Sequence, residues 1–232
     1  MLTVENLSCF YGGRGVFAPV SFIVARQEIV VLRGSNGIGK TTLLRTLAGL
    51  PVDYTGNYTV ENVLHRKSLQ RKGRITSDRE CGASSQCGYP VFYVSYNPPL
   101  NPHLTVQEQL TYWEILYKNT YQKNTTDDFF LLQHQRNTLC CRLSAGQRQI
   151  LSLSRLLFSA SNQGNLWLLD EPTTALDSVA EKKFYAVLAE NKEKGGSCVI
   201  ATHQNLRIET DKIIELQQFT QKSSEDVLAV WQ

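Results

Sequence analysis

The stretch Gly34-Ser35-Asn36-Gly37-Ile38-Gly39-Lys40-Thr41 decides the reading of this chain, because it meets the pattern Gly-x-x-x-x-Gly-Lys-Ser/Thr at every fixed position. Its flanks matter as much as its letters. Residues 28–33 read as a short apolar strand running into it, and residues 41–50, rich in Leu, Thr and Ala, read as a helix stopped at Gly49 and Pro51. Strand, glycine loop and helix in that order form the context in which such a loop cradles phosphates. Gly34 lets the strand turn sharply, and Gly39 lets the backbone approach a phosphate closely. The amides that follow, through Thr41 and Thr42 at the helix start, are expected to point at the β-phosphate. Lys40 is expected to reach the β- and γ-phosphates as a mobile point charge, and the Thr41 hydroxyl to coordinate magnesium.

A triphosphate loop needs a second half, and the apolar run 165–169 followed by Asp170-Glu171-Pro172 supplies it. Magnesium beside a triphosphate wants a carboxylate at the carboxyl edge of the sheet, and Asp170 stands there. Glu171, one residue further out, is placed to orient and deprotonate an attacking water, so it is the candidate general base. Just past the apolar strand 197–201 lies His203. Either it bonds the γ-phosphate or the attacking water, or it is an ordinary capping or surface histidine; the residues alone leave both open. ATP and Mg2+ are the ligands this set implies, and Glu171 favours an ATPase over a small-molecule kinase built on the same loop.

Outward from these motifs, short β-branched strands alternate with helical stretches, which predicts an α/β fold with a mainly parallel core sheet. The first thirty residues read as strand 2–10, a turn at Gly12-Gly13-Arg14-Gly15 and strand 16–25, an antiparallel β region. Residues 91–95 read as a buried strand before the Pro-rich loop 97–102. Thr105 with Glu108 forms a capping box opening a helix to about 116. Residues 129–134 and 150–159 read as helices, 178–191 as another. After His203 a short helix to about 210 is expected, then strand 212–217. A single domain over 1–217 results, with a helical lobe at about 98–160 and a polar tail at 218–232.

The rest of the composition mainly excludes. No run of eighteen apolar residues occurs, and the N-terminus lacks the pattern of a secretory signal. The six cysteines show no paired knuckles or framework, which points to a reducing compartment; Cys81 and Cys87 with His65 match no zinc spacing. A net charge of +3 reads as solubility, and no direct nucleic-acid contact is expected. The basic stretch 65–74 reads as a solvated loop and the segment 73–88 as an insertion.

Leu143-Ser144-Ala145-Gly146-Gln147 completes a recognisable set. With the phosphate loop before it and Asp170-Glu171, Ala175-Leu176-Asp177 and His203 after it, the chain resembles the ATP-binding subunits of ABC transporters over nearly its whole length. That resemblance implies a head-to-tail homodimer with a second nucleotide-binding subunit, in which Leu143 to Gln147, through Ser144 and the Gly146 backbone, cover the partner's ATP. It implies that Asp177 bridges the two sites, that His203 senses the γ-phosphate, and that Tyr11 stacks on adenine, with Phe10 and Phe17 as alternatives or all three as core. Where relatives carry a glutamine in the loop after the central strand, this chain has Asn97, one methylene shorter, which puts the strength of coupling in question. The wording around Leu44, the short signature, residues 166–172 and Thr202 to Leu206 is similar to the haem-exporter-type subfamily of cytochrome c maturation. An integral membrane partner is then implied, and a place on the aqueous face of the bacterial inner membrane (cytoplasmic side) or the mitochondrial inner membrane (matrix side). Two other readings stand beside it: a soluble ABC-type ATPase acting on nucleic acid or ribosomes, and an ATP-binding regulatory module with little hydrolysis.

Overall fold

The computed structural model describes residues 2–11, 14–60, 63–67, 91–97, 99–117, 132–159 and 164–216. The expected insertion 73–88, with Cys81 and Cys87, and the tail 218–232 lie outside the described residues. The 16-to-25 strand is shortened: β1 (Leu2–Tyr11) is followed by β2 (Arg14–Gly15), within the expected turn, and only after a break by β3 (Val20–Val24). Pro19 has no N–H to give a ladder, and Phe17 and Ala18 are buried where the break falls. In β3 alternate residues are buried and exposed, the pattern of a strand with one wet face.

The strands form two sheets. The antiparallel one is ordered β2-β1 and then β5 (Asp53–Val60) and β6 (Val63–Lys67), with β3 also on β1. The parallel one contains β4 (Ile29–Arg33), β7 (Val91–Val94), β8 (Leu166–Asp170), β9 (Ser197–Ala201) and β10 (Lys212–Glu215), in the order β10-β4-β9-β8-β7. Every residue of β8 and β9 is buried, as expected for strands covered on both faces. Asp170 is in register with Ala201, so the residues just beyond the two strand ends, Glu171 and Thr202, are neighbours at one sheet edge. One core lies between the two sheets and α1 (Lys40–Leu47); a second lies around α2 (Val106–Tyr117), α3 (Ala145–Ser154) and α4 (Ser178–Glu193).

Three helical expectations change. The helix read as beginning at 150 begins at Ala145, so Ala145, Gly146 and Gln147 of the signature fall in its first turn behind the Ser144 cap, and beyond Ser154 it tightens into a 3-10 segment, Arg155–Ser159. Of the helix expected over 129–134, residues 129–131 lie outside the described residues, and Gln133–Gln135 form a 3-10 turn. No helix forms between His203 and β10. Leu206 and Ile208 both pack on the second core, and the Arg207 N–H donates to the Tyr185 hydroxyl at 3.2 Å. Apolar anchors two residues apart suit an extended chain, and the tertiary bond takes an amide that a helix would use.

Candidate functional site

β4 delivers the chain to the phosphate loop, and α1 carries it away. Gly39, just before α1, sits at φ 107, a left-handed conformation, and a Cβ there would stand 2.6 Å from Val16 Cγ1 and 2.7 Å from Phe17 Cδ1. Only glycine satisfies both demands. The same packing buries Phe17, only 5% exposed, in the core beneath the loop, which removes it as an adenine platform. The backbone of Tyr11 ends β1, while its side chain lies outside the described residues.

Lys40 is folded back onto its own loop, its Nζ donating to the carbonyls of Gly34 at 2.6 Å and Ser35 at 3.3 Å. These carbonyls hold the ammonium at the mouth of the loop. The Thr41 hydroxyl donates to Asp170 Oδ2 at 2.8 Å. Asp170 is 2% exposed, and its Oδ1 is buried without a partner. Burial pushes its carboxyl above the ordinary value, the Thr41 bond draws it back, and the charges of Glu171 and Lys40 then raise and lower it respectively.

Glu171 has an unusual backbone for a non-glycine residue, φ 48. Its N–H donates to the Ala201 carbonyl at 2.8 Å. The Thr202 hydroxyl donates to Oε2 at 2.9 Å, the His203 N–H donates to Oε1 at 3.1 Å, and His203 Nδ1 lies 2.8 Å from the same oxygen. A carboxylate only accepts, so Nδ1 carries the proton in this arrangement. His203 thus meets Glu171 at the sheet edge, a contact that neither reading of the histidine had named. Lys40, Thr41, Asp170, Glu171 and His203 all line one cleft of about 390 Å3, floored by Asn36, Gly37 and Gly39.

Other expected residues stand elsewhere. Asn97 lines a neighbouring cavity of about 650 Å3 with Arg45 and Arg155, and its carbonyl accepts from Ser95 Oγ at 2.8 Å. Tyr96, not Asn97, lines both spaces. Leu143 is 3% exposed and belongs to the core. Ser144 is the N-cap of α3 in a reciprocal capping box: Gln147 N–H donates to Ser144 Oγ at 3.2 Å and Ser144 N–H to Gln147 Oε1 at 2.9 Å. Ala145 is exposed. Asp177 caps α4, its Oδ1 accepting from the amides of Val179 at 3.0 Å and Ala180 at 2.8 Å. The sequence reading missed Tyr96, Thr202 and Thr174, whose hydroxyl is buried without a partner beside the cleft. Thr202 was findable, since it directly follows a strand that neighbours the one ending in Asp170.

The geometry is that of a P-loop ATPase with its carboxylates and histidine assembled. The family model described as ABC transporter matches residues 17–174. Similar proteins include the cytochrome c biogenesis ATP-binding export protein CcmA of Bradyrhizobium diazoefficiens, 33% identical over 213 residues covering 91% of this chain and 96% of that protein. CcmA of Cereibacter sphaeroides is 34% identical over 215 residues, covering 93% and 88%. Among solved structures, a putative ABC transporter ATP-binding protein from Pyrococcus furiosus superposes with a TM-score of 0.70 at 21% identity, covering 94% of this chain and 98% of its own. A dimeric ATP-binding cassette in a post-hydrolysis state, bound to ADP and Pi, gives 0.69 at 22%, covering 93% and 94%. The chain belongs to the ABC transporter family of ATP-binding ATPase subunits and, within it, to the CcmA group.

Proposed function

We propose that this chain binds and hydrolyses ATP as the energy-supplying subunit of a membrane complex serving cytochrome c maturation, with Glu171 as general base. The observation that carries the mechanism is the convergence of Lys40, Thr41, Asp170, Glu171 and His203 on one cleft. The loop amides and Lys40 hold the β- and γ-phosphates; Lys40 exchanges its two backbone carbonyls for phosphate oxygens. Thr41 and Asp170 fit magnesium: a buried carboxylate oxygen without a partner, and a hydroxyl bonded to its twin, leave the remaining positions to phosphate and water oxygens. When bound, the ion neutralises charge shared between the β- and γ-phosphates. Glu171 aligns the attacking water and takes its proton, while His203 and Lys40 stabilise charge on the transferring phosphoryl group.

The names of the relatives support the cytochrome c role and favour a membrane complex over the ribosomal and regulatory readings. Among the described residues no helix is long and apolar enough to cross a membrane. In this reading the chain docks on an integral partner at the aqueous face of the inner membrane, as the names of its relatives suggest. A head-to-tail homodimer places Ser144 and Gly146 over the partner's ATP and Asp177 between the sites. Support for it comes from the exposed position of the Ser144 cap at the start of α3, outside the lining of its own cleft. Tyr11 is the adenine platform, and Asn97 acts on coupling from the neighbouring cavity.

Glu171→Gln in the assembled complex is expected to keep ATP affinity and lose turnover by at least the roughly 10²-fold of a general base. Deleting the chain in its host is expected to abolish covalently haem-bearing c-type cytochromes, with rescue by the wild type and not by the Glu171 variant. Normal c-type cytochromes in the deletion would refute the physiological role, and undiminished turnover in E171Q the catalytic one.

A further inference from the structure

Glu171 is gripped at three places by the residues at and beyond the end of β9: Ala201 accepts its N–H, Thr202 holds Oε2, and His203 holds Oε1. These grips differ in permanence. The His203 side chain is 49% exposed and can turn away, whereas Thr202 is fully buried. Thr202 is further fixed from both directions. Its N–H donates to the Leu32 carbonyl in β4 at 3.1 Å, tying it to the strand that carries the phosphate loop, and its hydroxyl accepts the Gln204 N–H at 3.0 Å. With that lone pair used, its own proton is aimed at the carboxylate. The left-handed backbone of Glu171 is a conformation that persists only where neighbours impose it.

We infer that Thr202 is the positioning residue of the general base: it anchors Oε2, so that the carboxylate pivots about this bond when His203 turns to the γ-phosphate, and Oε1 becomes the oxygen that receives the proton. This rests on the reading of Glu171 as general base. The step balances: one O–H bond of water breaks as Oε1–H forms, the water oxygen bonds the γ-phosphorus, and the β–γ bridging oxygen leaves with ADP. No other described side chain holds Oε2, and Thr202 touches neither phosphate nor water in this scheme; its effect passes through Glu171 alone.

The test is a double-mutant cycle on ATP turnover in the assembled complex. Thr202→Val keeps the shape and removes the hydroxyl. It is expected to lower kcat about ten- to a hundredfold, the range that a misplaced catalytic group costs, with KM and ATP affinity unchanged. Thr202→Ser should restore most of the rate, and Thr202→Ala, which asks less of the packing, should behave like Thr202→Val. In the Glu171→Gln background, Thr202→Val should cost nothing further, because the oxygen it aims no longer accepts a proton. Wild-type turnover in both Thr202→Val and Thr202→Ala, or the same loss of rate with and without Glu171, would overturn the inference. Full turnover in Glu171→Gln itself would instead overturn the general-base reading, whatever Thr202→Val does.

Discussion

Gly146 lies directly against the carbonyl of Ala175: a Cβ built on the glycine would stand 2.5 Å from that oxygen. The first turn of α3 and the loop before α4 therefore touch inside one chain, at a point with no room for a methyl group. Ala175 itself sits at φ 65, so the loop is already in an uncommon conformation. Gly146→Ala is expected to displace the 173–177 loop, lowering the melting temperature of the isolated chain as well as the ATPase rate of the complex. A glycine needed only for approach to a partner's nucleotide would leave the isolated chain's melting temperature unchanged.

Asp170 should destabilise the metal-free fold. Its folded-state pKa is raised, chiefly by burial, so the fold retains this proton more tightly than the unfolded chain does. As pH rises from the ordinary carboxylate value towards the raised one, the unfolded chain ionises first and the fold loses stability. Asp170→Asn removes that loss. In chelator, its melting temperature should match the wild type at acid pH and exceed it increasingly as pH rises through this window, while Mg2+-supported hydrolysis disappears. A mutant less stable than wild type at neutral pH would count against the burial argument.

Lys40→Met should separate binding from folding. Ligand that binds only the native state stabilises it by about 2.7 kcal/mol at a hundred times Kd. Wild-type protein should therefore melt higher with ATP, and Lys40→Met should show no ATP-dependent shift, because its loop no longer carries the phosphate charge partner. Without nucleotide it should melt slightly lower, having lost the two bonds from Nζ to Gly34 and Ser35.

The start of α2 gives a test far from the cleft. Glu108 accepts the Thr105 N–H at 2.8 Å and the Thr105 hydroxyl at 2.9 Å, and these bonds hold its carboxyl below the ordinary value, the backbone bond most. A depressed pKa contributes stability that is present above the unfolded value and lost as pH falls through the folded one. Protection of the Thr105 and Glu108 amides against hydrogen exchange, relative to the intrinsic rate at each pH, should fall across that acid window in wild type and lose its pH-dependent step in Glu108→Gln. Thr105→Ala should cost about 1 kcal/mol by urea unfolding.

The phosphate loop, the Asp170-Glu171 strand end and the α2 cap were legible because each is local: a handful of adjacent residues contains the whole physical reason. His203 was half legible. Its position after an apolar strand could be read, but its meeting with Glu171 depends on β8 and β9 lying side by side in register, which no short window contains. Thr202 was half legible in the same way, its place after an apolar strand readable and its bond to Glu171 not, and Tyr96 was hidden because an aromatic at the edge of a Pro-rich loop belongs to no local pattern that points at a cleft. The expected helix after His203 failed because Leu206 and Ile208 are held by a distant core and the Arg207 amide by Tyr185. The break after β2 turned on Pro19 and on Phe17, whose destination under Gly39 lies in another element. The Asp177 cap was legible as a residue and not as a bond: the cap was invisible until α4 was placed.

The position of β4 has a consequence for biosynthesis. The strand that carries the phosphate loop is paired on one side with β9 and on the other with β10, so its neighbours are made some 170 to 180 residues after it. A ribosome-bound chain that has released residues 34–41 has the loop's sequence but neither of the strands that fix its base. Competence to bind ATP should therefore arrive late, after β10 has emerged, and a nascent chain stalled before Lys212 should be unable to hold nucleotide even though every loop residue is already exposed.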